Sequence, residues 1–178
     1  MRARTAILAA VLAFGAAGAA SAADRLYTAC NFWYEKPDRM YSTGYERGAL
    51  LPAGTEVKDV SRSSRKLEFT DVKQNIKFSI EFVSKHHPGV TADQWIDRVL
   101  TPRDFAALTK GLTGAEIKAI REGKVQVGMS KKAVLVSAGY PPEVGTASTD
   151  SDTWKYWRDR FRNYAVQFSN GKVSSSGQ

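Results

Sequence analysis

One cysteine, two histidines and six prolines stand in 178 residues, and those scarcities exclude a good deal. A single thiol, Cys30, forms no internal disulfide and supplies no multi-thiolate zinc site, so a disulfide-stapled toxin and a zinc finger are out. Beyond residue 22 no apolar run approaches the ~20 residues a membrane helix needs, which excludes a polytopic transporter. Several catalytic signatures are missing too. There is no Gly-x-Ser-x-Gly elbow, no Gly-x-x-x-x-Gly-Lys-Ser/Thr phosphate loop and no Gly-x-Gly-x-x-Gly dinucleotide turn. His86 and His87 are adjacent, and neighbours on an extended chain point to opposite sides. They are therefore expected in a solvated loop before Pro88 rather than as two ligands of one metal. Cys30 alternates with Leu26, Thr28 and Phe32, which predicts a buried thiol in a strand, not an exposed nucleophile. No catalytic residue, metal or cofactor is assigned.

The first 22 residues read as an address. Arg2 and Arg4 precede the small and apolar run Ala6 to Ala20, and Ala20-Ser21-Ala22 supplies a small-x-small cleavage signal. The mature chain is expected to begin at Ala23. The competing reading, a retained anchor, fits less well because the run is short. A lipoprotein is not expected either, since Cys30 lies behind Asp24 and Arg25 with Tyr27 where a leucine belongs. The expectation is a soluble periplasmic protein. Without Arg2 and Arg4, 24 Lys plus Arg face 18 Asp plus Glu, a formal net of +6. That balance favours anionic neighbours such as a lipid surface, a cell-wall polymer or an acidic protein. No dense Lys/Arg block with interleaved aromatics argues for nucleic acid.

Three zones follow in the mature chain. Residues 23–85 read as a small all-β module of SH3-like size, its strands set by Leu26 to Phe32, Thr55 to Val60, Leu67 and Phe69, and Ile76 to Phe82. Residues 86–112 read as a helical connector. Thr91 and Gln94 form a capping box before Trp95, Ile96, Val99 and Leu100, and Thr101-Pro102 is expected to start a second short helix over Phe105 and Leu108. Residues 113–178 read as an α+β module. Thr113 and Glu116 form another capping box, Ser130 caps a helix that Gly139 stops, and Asn170-Gly171 marks a hairpin. The tail from Ser174 is expected to fray.

Four strings in this last zone carry a resemblance: Val127-Gly128-Met129-Ser130-Lys131-Lys132-Ala133-Val134, Gly139-Tyr140-Pro141-Pro142, Trp154-Lys155-Tyr156-Trp157, and Val166 to Val173 with Phe168 and Gly171 inside it. In that order they resemble the SmpA/OmlA family of BamE-like domains over residues 113–176. The resemblance implies two helices packed on a three-stranded antiparallel sheet, similar to β-lactamase-inhibitor-protein modules. It also implies a scaffold or binding role in outer-membrane assembly or maintenance, rather than catalysis. The chain departs from the lipid-anchored member of that family in lacking a lipobox, and it adds the N-terminal β region.

Within the module, Trp154 and Tyr156 share one face at period two, which places Trp157 and Phe161 on the other. An outer aromatic face needs cover from the N-terminal module or from a partner. Arg158, Arg160 and Arg162 also recur at period two, either as a solvated hairpin edge or as an anion-binding strip beside Tyr156. The candidate interface is therefore Tyr156, Trp157, Arg158, Arg160, Phe161 and Arg162. The expected function is a non-enzymatic periplasmic scaffold with a protein partner. The alternatives are an inhibitor of a periplasmic enzyme and a binder of cell-wall polymer.

Overall fold

The computed structural model describes residues 25–178 of the chain, and the export leader read at residues 1–22 lies outside the described residues. Among the described residues the fold is mixed α+β, with four α-helices, a curled six-stranded sheet, a two-stranded ribbon and a three-stranded antiparallel sheet at the C-terminal end. The six-stranded sheet runs β3 (Met40–Tyr41), β7 (Lys77–Glu81), β6 (Lys66–Asp71), β5 (Glu56–Arg62), β1 (Leu26–Thr28), β8 (Leu100–Thr101). Only β3 and β7 pair in parallel. The ribbon joins β2 (Phe32–Tyr34) to β4 (Ala49–Leu51). A bulge between Lys58 and Ser61, with Asp59 at φ 53°, bends β5 and helps the sheet curl.

Alternation builds the first core. Leu67 faces Ile80 and Phe69 faces Phe78 across β6 and β7, and all four are essentially sealed from water. Each contributes roughly 1.5–3 kcal/mol by leaving water. Helix α1 (Ala92–Val99) closes this core with Trp95, Ile96 and Val99, and β8 continues it by pairing with β1. The segment read as a connector thus supplies both a helix and a strand to the first core. Thr91 and Gln94 do form the capping box. Pro102 lies outside α2 (Phe105–Thr109), which starts instead at Asp104, whose carboxylate accepts the Ala107 N–H at 2.8 Å. An aspartate is a far better cap than the Thr101-Pro102 pair.

The second core lies between α3 (Gly114–Arg121), α4 (Lys131–Ala138) and the sheet β11 (Lys172–Ser176), β10 (Asn163–Ser169), β9 (Thr153–Trp157). Trp154, Val134 and Val166 are fully buried, with Met129, Phe168 and Val173 around them. Pro141 is buried just beyond α4. Gly128 and Gly139 both hold positive φ, at 90° and 77°. At Gly139 a Cβ would also meet Cys30 Sγ at 3.2 Å. Asn170 and Gly171, at φ 51° and 72°, make the tight turn into β11. The tail is not frayed: β11 pairs through Ser176, and Gln178 Nε2 donates to Gly123 O at 3.0 Å.

Leu26 to Phe32 is not one strand. The chain bends at Ala29 to Asn31 and leaves the six-stranded sheet for the ribbon. Cys30 is buried in that bend, and burial pushes its thiol up to about 12, so the sulfur stays protonated. Asn31 explains the bend. Its backbone N–H reaches Val136 O at 3.1 Å, and its Nδ2 donates to Ile120 O at 2.7 Å and Ser137 O at 3.0 Å. Its Oδ1 accepts from Ala53 N at 2.7 Å. One buried amide therefore joins the N-terminal loops to the ends of α3 and α4. No helix among the described residues is long and apolar enough to cross a membrane.

Candidate functional site

A surface cleft of about 450 Å³ opens between the two halves. Each wall has a local cause. On the N-terminal side Tyr41 ends β3, and the turn through Ser42, Thr43 and Gly44 brings Tyr45 back to it, with ring centres 6.2 Å apart. A 3-10 turn at Ser84–His86, just after β7, presents Lys85 and His86. On the C-terminal side stand Trp157, the last residue of β9, and Arg160 of the following hairpin. Strand alternation sends Trp154 and Tyr156 inward and Trp157 out into the cleft.

Trp157 is half-buried, and its cover is internal. Its ring lies parallel to that of His86, 8° apart in plane and 6.3 Å between centres. Its edge lies over Gly145, where a Cβ would stand 2.7 Å from Cη2. His86 Nδ1 is 2.6 Å from Thr43 Oγ1. Burial lowers the His86 pKa, with Lys85 and His87 adding to the effect, which favours the neutral ring. A separate, smaller pocket of about 70 Å³ (the smaller lobe) shares Tyr41 and Tyr45 with the cleft and adds Trp33, Tyr34, Arg39 and Arg47.

Behind the cleft lies a network the histidine pair alone does not announce. His87 is buried rather than solvated. Its Nδ1 meets Glu143 Oε2 at 2.7 Å, and its Nε2 meets Ser42 Oγ at 2.9 Å. Arg98 donates to the other oxygen of Glu143. Burial raises the Glu143 carboxyl, but Arg98 and His87 outweigh it and leave the pKa below its usual value. Serine, imidazole and carboxylate in this order are also the elements of acyl transfer. Here Ser42 is buried, its Oγ accepts the Val83 N–H at 2.9 Å, and the crevice beside it holds about 30 Å³, room for one water. What the arrangement does is fix three segments: the 42–44 turn, the 84–87 turn and the 142–146 loop, whose Val144 N also donates to His86 O. These carry the cleft's N-terminal wall and the glycine under Trp157.

The residues read as an interface separate in the structure. Tyr156 is buried and donates its hydroxyl to Gly139 O at 3.0 Å. Residues 158–162 form the β9–β10 loop, so period two does not align the arginines. Arg158 lies over the Tyr164 ring at 5.7 Å and donates to Gly177 O. Arg162 pairs with Asp159 at 2.6 Å, and only Arg160 lines the cleft. Asp159 also accepts the Phe161 and Arg162 N–H groups, and with the Arg162 side chain these hold its carboxyl down at about 2. Phe161 projects from this braced loop, 88% exposed. Of the residues singled out in the sequence, Trp157 and Arg160 line this cleft; Tyr41, Tyr45 and Lys85, which line it with them, were not among those residues. The one local signal was a tyrosine on each side of the Ser42-Thr43-Gly44 turn. No protein-family model, curated protein or solved structure matches this chain.

Proposed function

We propose that this chain is a non-enzymatic binding module of the cell envelope, exported to the periplasm, with its ligand seated between the two halves. The observation that carries this is the shared cleft, where Trp157 and Arg160 meet Tyr41, Tyr45, Lys85 and His86. Trp, Tyr and Arg are the residue types that dominate binding energetics, and here Trp157, Tyr41 and Tyr45 are half-buried without closing the surface. The four ordered motifs, together with the succession α3, α4, β9, β10, β11, support an SmpA/OmlA-like scaffold related to outer-membrane assembly or maintenance. The test is capture from crosslinked envelopes. Trp157→Ala is expected to cost about 1–2 kcal/mol, less than a core tryptophan, because the ring is half-buried. The folded variant is expected to recover about tenfold less of the wild-type ligand. Undiminished recovery would place the site elsewhere.

The braced loop at Phe161 favours a second reading, inhibition of a periplasmic enzyme by the hairpin. A side chain 88% exposed contributes little to folding, so Phe161→Ser is expected to change stability by less than about 0.5 kcal/mol. Under the inhibitor reading the same change abolishes capture of the enzyme, while under the cleft reading capture is unchanged.

A further inference from the structure

We infer that the cleft, with the smaller pocket beside it that shares Tyr41 and Tyr45, takes a carboxylate-bearing glycan chain, with sugar rings stacked on Trp157, Tyr41 and Tyr45 and carboxylates paired with Lys85 and Arg160. This rests on the cleft being the binding site. Half-buried rings are fixed from behind and still offer area to a ligand, and the C–H face of a pyranose packs on such a ring. The charge has the matching sign. Lys85, Arg160, Arg39 and Arg47 stand against Glu81 and Glu35 along the two lobes, and Arg47 is paired with Glu35 at 3.2 Å. The two carboxylates and the tyrosine hydroxyls suit the hydroxyl groups that a glycan carries and a bare polyanion lacks. Two lobes that share Tyr41 and Tyr45 suit a ligand of several linked units, and 450 Å³ lies within the usual range for a ligand site.

A peptide fits the surface less well. Among the described residues, eight line the larger lobe and Val83 alone of them is aliphatic, so this lining offers rings and charges rather than an aliphatic pocket for a peptide anchor. The sheet edge beside it, β3, is two residues long, too short for a peptide to add as a strand. The carboxylated sugar has two sources: the free lactyl carboxylate of a peptide-stripped cell-wall glycan strand, or a uronate of an acidic exopolymer.

The experiment is calorimetric titration of the purified protein with four probes of matched length. These are a peptidoglycan-derived tetrasaccharide carrying lactyl carboxylates, tetragalacturonate, neutral chitotetraose, and an oligothymidylate as a bare polyanion. One carboxylated tetrasaccharide is expected to bind at least about tenfold tighter than either chitotetraose or the oligothymidylate, and the preferred one names the source. Tyr45→Ala and Arg160→Gln are each expected to weaken that binding by about tenfold with circular dichroism unchanged. Arg160 is exposed, so its variant keeps the test independent of folding. The inference is overturned if neither carboxylated sugar exceeds chitotetraose, if the oligothymidylate binds as well, or if both folded variants bind like wild type. Failure here with capture from envelopes still dependent on Trp157 would remove the glycan and leave the cleft reading standing; failure of both would remove both.

Discussion

Asn31→Ala is expected to lower the stability of the whole chain by about 3 kcal/mol, in one transition rather than two. The amide is 5% exposed and bonds Ala53, Ile120 and Ser137, groups that belong to different halves. Removing it strips the Ala53 N–H of its acceptor and leaves a small cavity where the two cores meet. Asn31→Asp is expected to be worse, because a carboxylate would then face two carbonyl oxygens. The measurement is urea unfolding followed in parallel by tryptophan fluorescence and far-ultraviolet circular dichroism. Coincident curves displaced to lower denaturant are expected. Loss of one half with the other unmoved would show that Asn31 does not couple them.

Glu116→Gln is expected to cost about 3 kcal/mol at pH 7, and that cost shrinks as the pH falls toward 2. The wild-type carboxylate accepts Thr113 N and Oγ1 at 2.8 and 2.9 Å and Ser130 N at 2.8 Å, tying the start of α3 to the start of α4. Burial opposes the charge, but these hydrogen bonds outweigh it and bring the pKa from 4.5 to about 2. The sign follows from the depressed value. The carboxylate's contribution is complete above 4.5, the unfolded-state value, and is lost as the pH falls through about 2. Stability curves of the two proteins should therefore converge between pH 4.5 and 2. A gap of constant size across that window would mean the lost stability is packing rather than charge.

What the sequence disclosed was local. Both capping boxes, the Ser130 cap and the Asn170-Gly171 turn are settled within four residues, and the structure has each of them. The alternation of β9 likewise put Trp157 on the outward face. What escaped depends on partners far along the chain. No glycine or proline marks the break between β1 and β2, because Asn31 is held by residues 89 and 106 positions away. His87 is buried because Glu143, 56 residues on, receives it. The arginines, read either as a solvated hairpin edge or as an anion-binding strip, do not align at period two for a nearer reason: period two describes extended chain, and Asp159 folds those residues into a loop. Tyr41, Tyr45 and Lys85 belong to the cleft only once the C-terminal hairpin stands opposite them.

In the proposed complex one ligand touches both halves at once. The most direct measurement places a photoreactive residue at Tyr45, at Arg160 and, as a control, at Ser175 on the exposed β11 edge, followed by irradiation in the native envelope. Adducts to the same species from Tyr45 and Arg160, and none from Ser175, are the expected result. An adduct from Ser175 alone, or different species from the two walls, would contradict a ligand shared by both halves.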